Sequence, residues 1–316
     1  YSRYCATLGF DAERLPRHWT GIPPVPSAAF KEAALATFPI ERAALRFLTS
    51  GTTRGQRGTH YMEASTLYDA ALLASFDREM LWDRAGLQYL NLVPDPAEVP
   101  GSSLGYMMRR ICRERGRAGS GWYVHQDTLL LEALIGDMQG AARRDRAVCL
   151  AGTAFALVHL LEELDRKGLT VQLPAGSRIM ETGGFKGRSR VLTRENLYER
   201  VSRSLDVPLQ NIVAEYGMTE LSSQYYDNAQ SRPSTRRVKS GAPWVRTLIT
   251  RAGGRRSESG EPGALTHFDL ANRSSVIAIS TEDVGVATGD GFMLIGRESE
   301  SELRGCSLEA EDLQRA

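Results

Sequence analysis

The chain has few cysteines. Four occur in 316 residues, at positions 5, 112, 149 and 306, and none forms a Cys-x-x-Cys pair. This argues against structural zinc and against a disulfide framework, and makes a reducing cytoplasm the expected setting. Long apolar runs are also lacking. None reaches the roughly 18 residues that suggest a membrane span. The longest, 147–161, contains Thr153 and His159 and reads as a buried strand entering a helix. The opening Tyr-Ser-Arg-Tyr-Cys shows no signal-peptide apolar region. Charge of either sign is not in excess: 39 basic and 38 acidic residues give a net charge of +1. There is thus no global electrostatic case for a nucleic acid partner or an acidic membrane surface. No internal repeat is visible. What remains is an ordinary globular composition, 42% hydrophobic and 24% charged.

Periodicity organises this composition into alternating elements. Helices are expected at 28–46, 64–85, 104–117, 127–142, 153–166 and from Thr193 to about residue 205. Strands are expected at 45–49, 59–62, 87–93, 147–151, 169–173, 177–181 and 211–216. Gly168 reads as the left-handed cap of its helix, and Thr193 as an N-cap. Strands alternating with helices predict an α/β fold with a partly parallel sheet. Beyond residue 233 the pattern changes to short strands at 243–250, 263–269, 275–281 and 291–296, separated by Gly-, Ser- and Asp-rich turns. The chain is therefore divided into an α/β region, 1–232, and a β-rich subdomain with the C-terminal tail, 233–316. Asp290-Gly291 is a hairpin signal, and 251–263 reads as an exposed hairpin loop. His159 lies on an apolar helix and reads as a core residue. His125, the 122–123 aromatic pair and the Gly/Ser loop at 101–105 are candidates to line a pocket. Cys5, Cys112 and Cys149 read as structural.

Four segments carry chemistry. Residues 49–58 read Thr-Ser-Gly-Thr-Thr-Arg-Gly-Gln-Arg-Gly. Glycine allows close backbone approach to an anion, and successive N–H groups, hydroxyls and arginine supply donors, so the stretch reads as a phosphate clamp. It lacks the Gly-Lys-Ser/Thr ending of a Walker A loop, and its expected setting is a hairpin rather than a strand-to-helix turn. The second segment, Tyr216-Gly217-Met218-Thr219-Glu220, follows a strand, where open α/β sheets bind ligands. Thr219 can donate to a phosphate, and Glu220 is a hard oxygen ligand suited to Mg²⁺. The third, Gly183-Gly184-Phe185-Lys186-Gly187, permits a flat ligand against the backbone. In the fourth, Asp283 can accept from ribose hydroxyls and Arg297 can approach the same group.

In this order the segments resemble the adenylate-forming superfamily, which includes acyl-CoA synthetases, adenylation domains and luciferases. Residues 183–188 (Gly-Gly-Phe-Lys-Gly-Arg), 216–221 (Tyr-Gly-Met-Thr-Glu-Leu) and 304–307 (Arg-Gly-Cys-Ser) look closer still to its acyl-protein synthetase, or LuxE-type, branch. The resemblance implies a large adenylate-forming domain of layered α/β sheets with a small β-rich subdomain. The chain runs only 19 residues past Arg297, so the superfamily's C-terminal lid and its catalytic lysine are expected to lack a counterpart. Arg54 and Arg57 stand where the superfamily pattern favours Gly and Lys.

The resemblance further implies an ATP- and Mg²⁺-dependent ligase that converts a carboxylic acid, a fatty acid in this branch, to an acyl-adenylate. It then passes the acyl group to a thiol. Thr49, Ser50, Gly51, Thr52, Thr53, Gly55 and Arg57 would hold the triphosphate, Thr219 the α-phosphate and Glu220 the metal. Gly183, Gly184, Tyr216 and Gly217 would border adenine, and Asp283 and Arg297 the ribose. Cys306 is the candidate acyl acceptor. A separate acceptor, such as a reductase or carrier protein, is the alternative, as is a non-catalytic nucleotide-binding scaffold.

Overall fold

The computed structural model describes residues 1–11, 14, 16–49, 57–126, 128–183, 193–230, 237–251, 255–258, 260–289 and 291–297. In chain order the helices are α1 (Ser2–Thr7), α2 (Ala29–Glu32), α3 (Thr66–Met80), α4 (Ser103–Arg115), α5 (Leu131–Arg143), α6 (Ala154–Lys167) and α7 (Arg194–Leu205). The strands are β1 (Val25–Pro26), β2 (Leu45–Leu48), β3 (Thr59–Met62), β4 (Gln88–Pro94), β5 (Gly121–His125), β6 (Thr128–Leu129), β7 (Val148–Thr153), β8 (Arg178–Thr182) and β9 (Ile212–Tyr216). They continue as β10 (Tyr225–Asp227), β11 (Lys239–Ser240), β12 (Val245–Thr250), β13 (Pro262–Asp269), β14 (Ala278–Thr288) and β15 (Gly291–Arg297).

The expected α/β class is what the structure has. The chain forms two compact units, neither continuous in sequence. One comprises residues 1–71, 218–223 and 238–316; the other comprises 72–217 and 224–237. The first is called here the β unit and the second the α/β unit.

In the α/β unit, strands run in the order β10-β9-β8-β7-β4-β5-β6. β9, β8, β7, β4 and β5 are mutually parallel, β10 runs antiparallel to β9, and β6 is antiparallel to β5. The central strands are near-continuous apolar runs because helices cover them. Leu90, Leu150 and Ile179 share one buried core with Leu160 of α6 and Leu197 of α7. Burying each such side chain contributes about 1.5–3 kcal/mol. The Thr193 and Gly168 caps fall where the sequence places them, and Thr153 is a further cap. The Thr153 and Thr193 hydroxyls accept from Ala156 and Asn196 N–H at 3.2 Å each, and Gly168 adopts φ +60°. The strand order reverses between β4 and β7, so the crevice at their carboxyl ends is a topological switch point, the usual place for a ligand in such sheets.

In the β unit, β12-β13-β14-β15-β11 form an antiparallel sheet, with β1 added in parallel to β14. β2 and β3 form a separate antiparallel hairpin in register Leu48↔Thr59, and the Gly-rich stretch between them lies largely outside the described residues. The β14–β15 hairpin is also present. Thr288 pairs with Gly291, and Asp290 lies outside the described residues.

Three expectations are corrected. The helix at 28–46 shrinks to Ala29–Glu32. Pro39 interrupts the continuation, and the backbone is used elsewhere: Thr37 N–H donates to Ser274 O and the Ser275 hydroxyl to Leu35 O. Residues 169–173 are not a strand. Val171 and Leu173 are buried, but Leu173 N–H donates to Leu205 O at the end of α7 rather than to a ladder. His159 is exposed, because the buried face of α6 is Ala154, Leu157, Leu160, Leu161 and Leu164. Among the described residues no helix is long and apolar enough to cross a membrane.

Candidate functional site

In the α/β unit, the carboxyl edge of the parallel strands gathers the predicted residues of two segments. Thr153, Thr182 and Glu215 are aligned across β7, β8 and β9. The Thr182 hydroxyl donates to Glu215 Oε2. Gly183 follows with φ +79°, a conformation that favours glycine; Gly184 lies outside the described residues. Tyr216 ends β9 with its ring buried, 5.9 Å from that of Tyr225. A Cβ at Gly217 would overlap Glu215 Oε1, so the carboxylate would have to move to admit one.

Behind this edge lies a buried charged network. Glu181 Oε2 accepts from the Tyr198 hydroxyl at 3.0 Å and lies 3.6 Å from Arg194 Nε. Burial, then the Glu181 and Asp227 carboxylates, raise the Tyr198 pKa well above its ordinary value, so its hydroxyl stays a donor. Arg237 lies over the Tyr198 ring at 4.7 Å and donates to Asp227 Oδ2 at 3.3 Å and to the carbonyls of Leu209 and Ile212. These contacts fix β8, β9 and α7 around Thr182 and Gly183.

In the β unit, the base of the Gly-rich hairpin is closed twice. Thr49 N–H donates to Gly58 O at 2.9 Å, and Gly58 N–H donates to Thr49 Oγ1 at 2.8 Å. A Cβ at Gly58 would stand 2.5 Å from the Phe30 carbonyl oxygen, so the backbone there approaches α2 as only glycine allows. Arg57 is exposed. Ser50, Gly51, Thr52, Thr53, Arg54 and Gly55 lie outside the described residues, as does Cys306.

Thr219 and Glu220 belong to this same unit, and their backbone is firmly held. His60 Nδ1 is 2.7 Å from Thr219 O, and Asn272 Nδ2 donates to Glu220 O at 2.9 Å. Ser222 N–H and the Ser223 hydroxyl donate to Asp269 at 2.9 and 2.7 Å, and the Ser222 hydroxyl to Asn272 Oδ1 at 3.0 Å. Burial raises the Asp269 pKa, while Ser223 and the N–H groups of Ser222 and Ala271 work against that rise. Glu220 itself is only 9% exposed. Asp283 on β14 is half-buried and is the direct cross-strand partner of Arg297 on β15. The fourth segment thus places its two candidate residues at one position of one ladder.

Several of these residues escape sequence reasoning. His60 carries a weak signal, since strand alternation puts it on the buried face with Met62. Glu215, Asp269, Asn272, Ser222 and Ser223 carry none, because their partners are remote in sequence. Among the pocket candidates, Ser102 caps α4 by accepting from Gly105 N–H, Tyr123 donates to Asp137, and His125 pairs with Glu98.

Solved structures define the class. The fold matches amide bond synthetase McbA from Marinactinospora thermotolerans with a TM-score of 0.56 and 18% identity, covering 81% of this chain and 49% of that one. It matches o-succinylbenzoate coenzyme A synthetase MenE from Bacillus subtilis, solved with AMP, at 0.56 and 18%, covering 83% and 51%. An open 2-hydroxyisobutyryl-CoA ligase, solved with its acyl-AMP and CoA, matches at 0.67 and 14%, covering 94% and 70%. The fold is therefore shared with these synthetases and this ligase, and the chain spans about half the length of the first two. No curated protein matches the sequence. The family model for the acyl-protein synthetase LuxE matches residues 1–313, and the chain belongs to that family.

Proposed function

We propose that this chain activates a carboxylic acid, of the fatty acid class, with ATP, and passes the acyl group to a thiol. The first step is R-COO⁻ + ATP → R-CO-AMP + pyrophosphate: the carboxylate oxygen bonds to the α-phosphorus as the bond to the bridging oxygen breaks. The second is attack of a thiolate on the acyl carbon, which releases AMP. The observation that carries the reading is the Thr219–Glu220 backbone bonded directly to the arm that leaves the Gly-rich hairpin. Family membership supports the same chemistry.

In this reading Ser50, Thr52, Thr53 and Arg57 hold the β- and γ-phosphates, and Thr219 the α-phosphate. Thr49 closes the base of the loop. Gly183, Gly184, Gly217 and an edge of Tyr216 border adenine, with Asp283 and Arg297 at the ribose. Glu220 is a hard oxygen donor beside a hydroxyl, a donor set that fits Mg²⁺ held by one carboxylate and substrate phosphates. The metal would offset negative charge on the phosphates. The protein's contribution is positioning and charge stabilisation rather than covalent help. Residues 1–232 supply most nucleotide and acyl contacts, and 233–316 supply the ribose pair and the acceptor. Cys306 is the proposed acceptor, beside Arg304, which favours its thiolate. A reducing cytoplasm keeps such a thiol free.

Intact mass after incubation with ATP, Mg²⁺ and saturated fatty acids tests the transfer step. The expected result is an acyl adduct that hydroxylamine removes and that Cys306→Ser abolishes. An adduct that survives in Cys306→Ser overturns self-acylation. Acyl-AMP release without any adduct points instead to a separate carrier or reductase as acceptor.

A further inference from the structure

Two consecutive carbonyls of the 216–220 motif are each gripped by a buried side chain from another part of the β unit: Thr219 O by His60 and Glu220 O by Asn272. His60 is the more informative. It sits on β3, two residues after Gly58, where the Gly-rich hairpin returns. Its side chain is fully buried, and burial lowers its pKa. Because Thr219 O can only accept, Nδ1 carries the proton and donates. On its other side the ring meets Phe30 edge-on, with centroids 5.6 Å apart. The carbonyl of the same Phe30 contacts the Gly58 backbone. The returning arm is thus wedged against α2 at both Gly58 and His60, and bonded to Thr219.

We propose that His60 is a positioning residue of the adenylation site, setting the register between the Gly-rich hairpin and the Thr219–Glu220 backbone. The inference rests on reading 49–58 as the triphosphate loop and Glu220 as the metal ligand. It adds a residue that neither segment contains. Loss of the Nδ1–H donor would leave the Thr219 carbonyl buried and unpaired. The turn that carries Thr219 and Glu220 would then shift relative to the arm that carries Arg57. Misplacement on the ångström scale costs up to about a hundredfold in rate.

The test compares His60→Leu, which fills space without a donor, with His60→Asn, whose amide places a donor near the Nδ1 position but leaves a void. Both are expected to lose stability; only the first should lose function. In the full chain, carboxylate-dependent ATP–pyrophosphate exchange should show kcat lowered about tenfold to a hundredfold in His60→Leu. The KM for ATP should change less, and His60→Asn should stay within about threefold of the parent. Amide hydrogen exchange at 219–223 should accelerate in His60→Leu and much less in His60→Asn. Equal impairment of the two variants, or activity that follows thermal stability rather than the donor, would overturn the proposal. A parent protein with no exchange on any carboxylate would overturn the adenylation reading instead. The amide-exchange contrast would then decide the role of His60 by itself, with equal protection in both variants counting against it.

Discussion

The two units hold their candidate residues by opposite means. In the α/β unit the carboxyl edge is set by charge: Glu181 with Arg194 and Tyr198, Asp227 with Arg237. In the β unit the site backbone is held mostly by neutral groups. His60 and Asn272 grip carbonyls, and Asp269, whose pKa is raised by burial, accepts from Ser222 and Ser223. Charge pairing tolerates no half-removal, because a lone buried charge is costly. Neutral clamps fail by smaller steps but respond to protons in a different range. The difference is open to experiment.

The largest effect is expected at Glu220. Glu220→Ala should lower carboxylate-dependent pyrophosphate exchange about a hundredfold or more, as removal of an electrostatic partner of the reacting phosphates does. Undiminished exchange would remove Glu220 from the metal. Next comes the charged network. Arg237→Met leaves Asp227, whose side chain is 1% exposed, without its guanidinium. Denaturant titration should show a loss of about 3–5 kcal/mol, most of it recovered by adding Asp227→Asn. If the double variant is no better than the single, the pair is not the unit of stability. Gly58→Ala should cost about 1–3 kcal/mol, because the added methyl meets backbone rather than a flexible side chain. It should also lower exchange activity. A neutral result there would mean that α2 yields.

A last contrast separates the units by pH. Burial lowers the pKa of His60, and it pushes that of His267 down to about 3 from an ordinary 6.5. Both folded values lie below the unfolded value. For both, stability therefore declines as pH falls below 6.5; for His267 the decline continues toward pH 3, by at most about 1.4 kcal/mol per pH unit. Asp269, with its folded pKa raised, opposes this at the acid end. In the α/β unit, Asp83 is held down at about 2, by Arg84 first and then Arg178, against 3.8 ordinarily, so its contribution declines only below about pH 4. Amide exchange resolved by peptide should show β13 loosening between pH 6 and 4 while β7 and β8 stay protected. His267→Gln should flatten that slope. Parallel loosening of both units would contradict the distinction.

Much of this was legible in the sequence. The alternation of elements, the hairpin at 45–62, the caps at Thr193 and Gly168, and the family all follow from local pattern. Local pattern also produced the errors. Residues 28–46 have helical spacing, yet Pro39 and remote partners near Ser274 decide their path. Residues 169–173 look like a strand because they are apolar, but Leu173 bonds to the end of α7. The candidate side chains were readable because their types declare their chemistry. The residues that hold them, from His60 to Asp269 and Asn272, were not, because a buried clamp is defined by a partner as many as 159 positions away.

The central claim is that Thr219, Glu220 and the Gly-rich hairpin act on one ATP molecule during acyl-adenylate formation. Exchange of labelled pyrophosphate into ATP, measured with the full chain over fatty, aromatic and amino acids, tests it most directly. The account predicts label in ATP only when Mg²⁺ and a carboxylate are both present, strongest with fatty acids and nearly abolished in Glu220→Ala. Folded protein that shows no exchange with any carboxylate, or equal exchange without one, would contradict it.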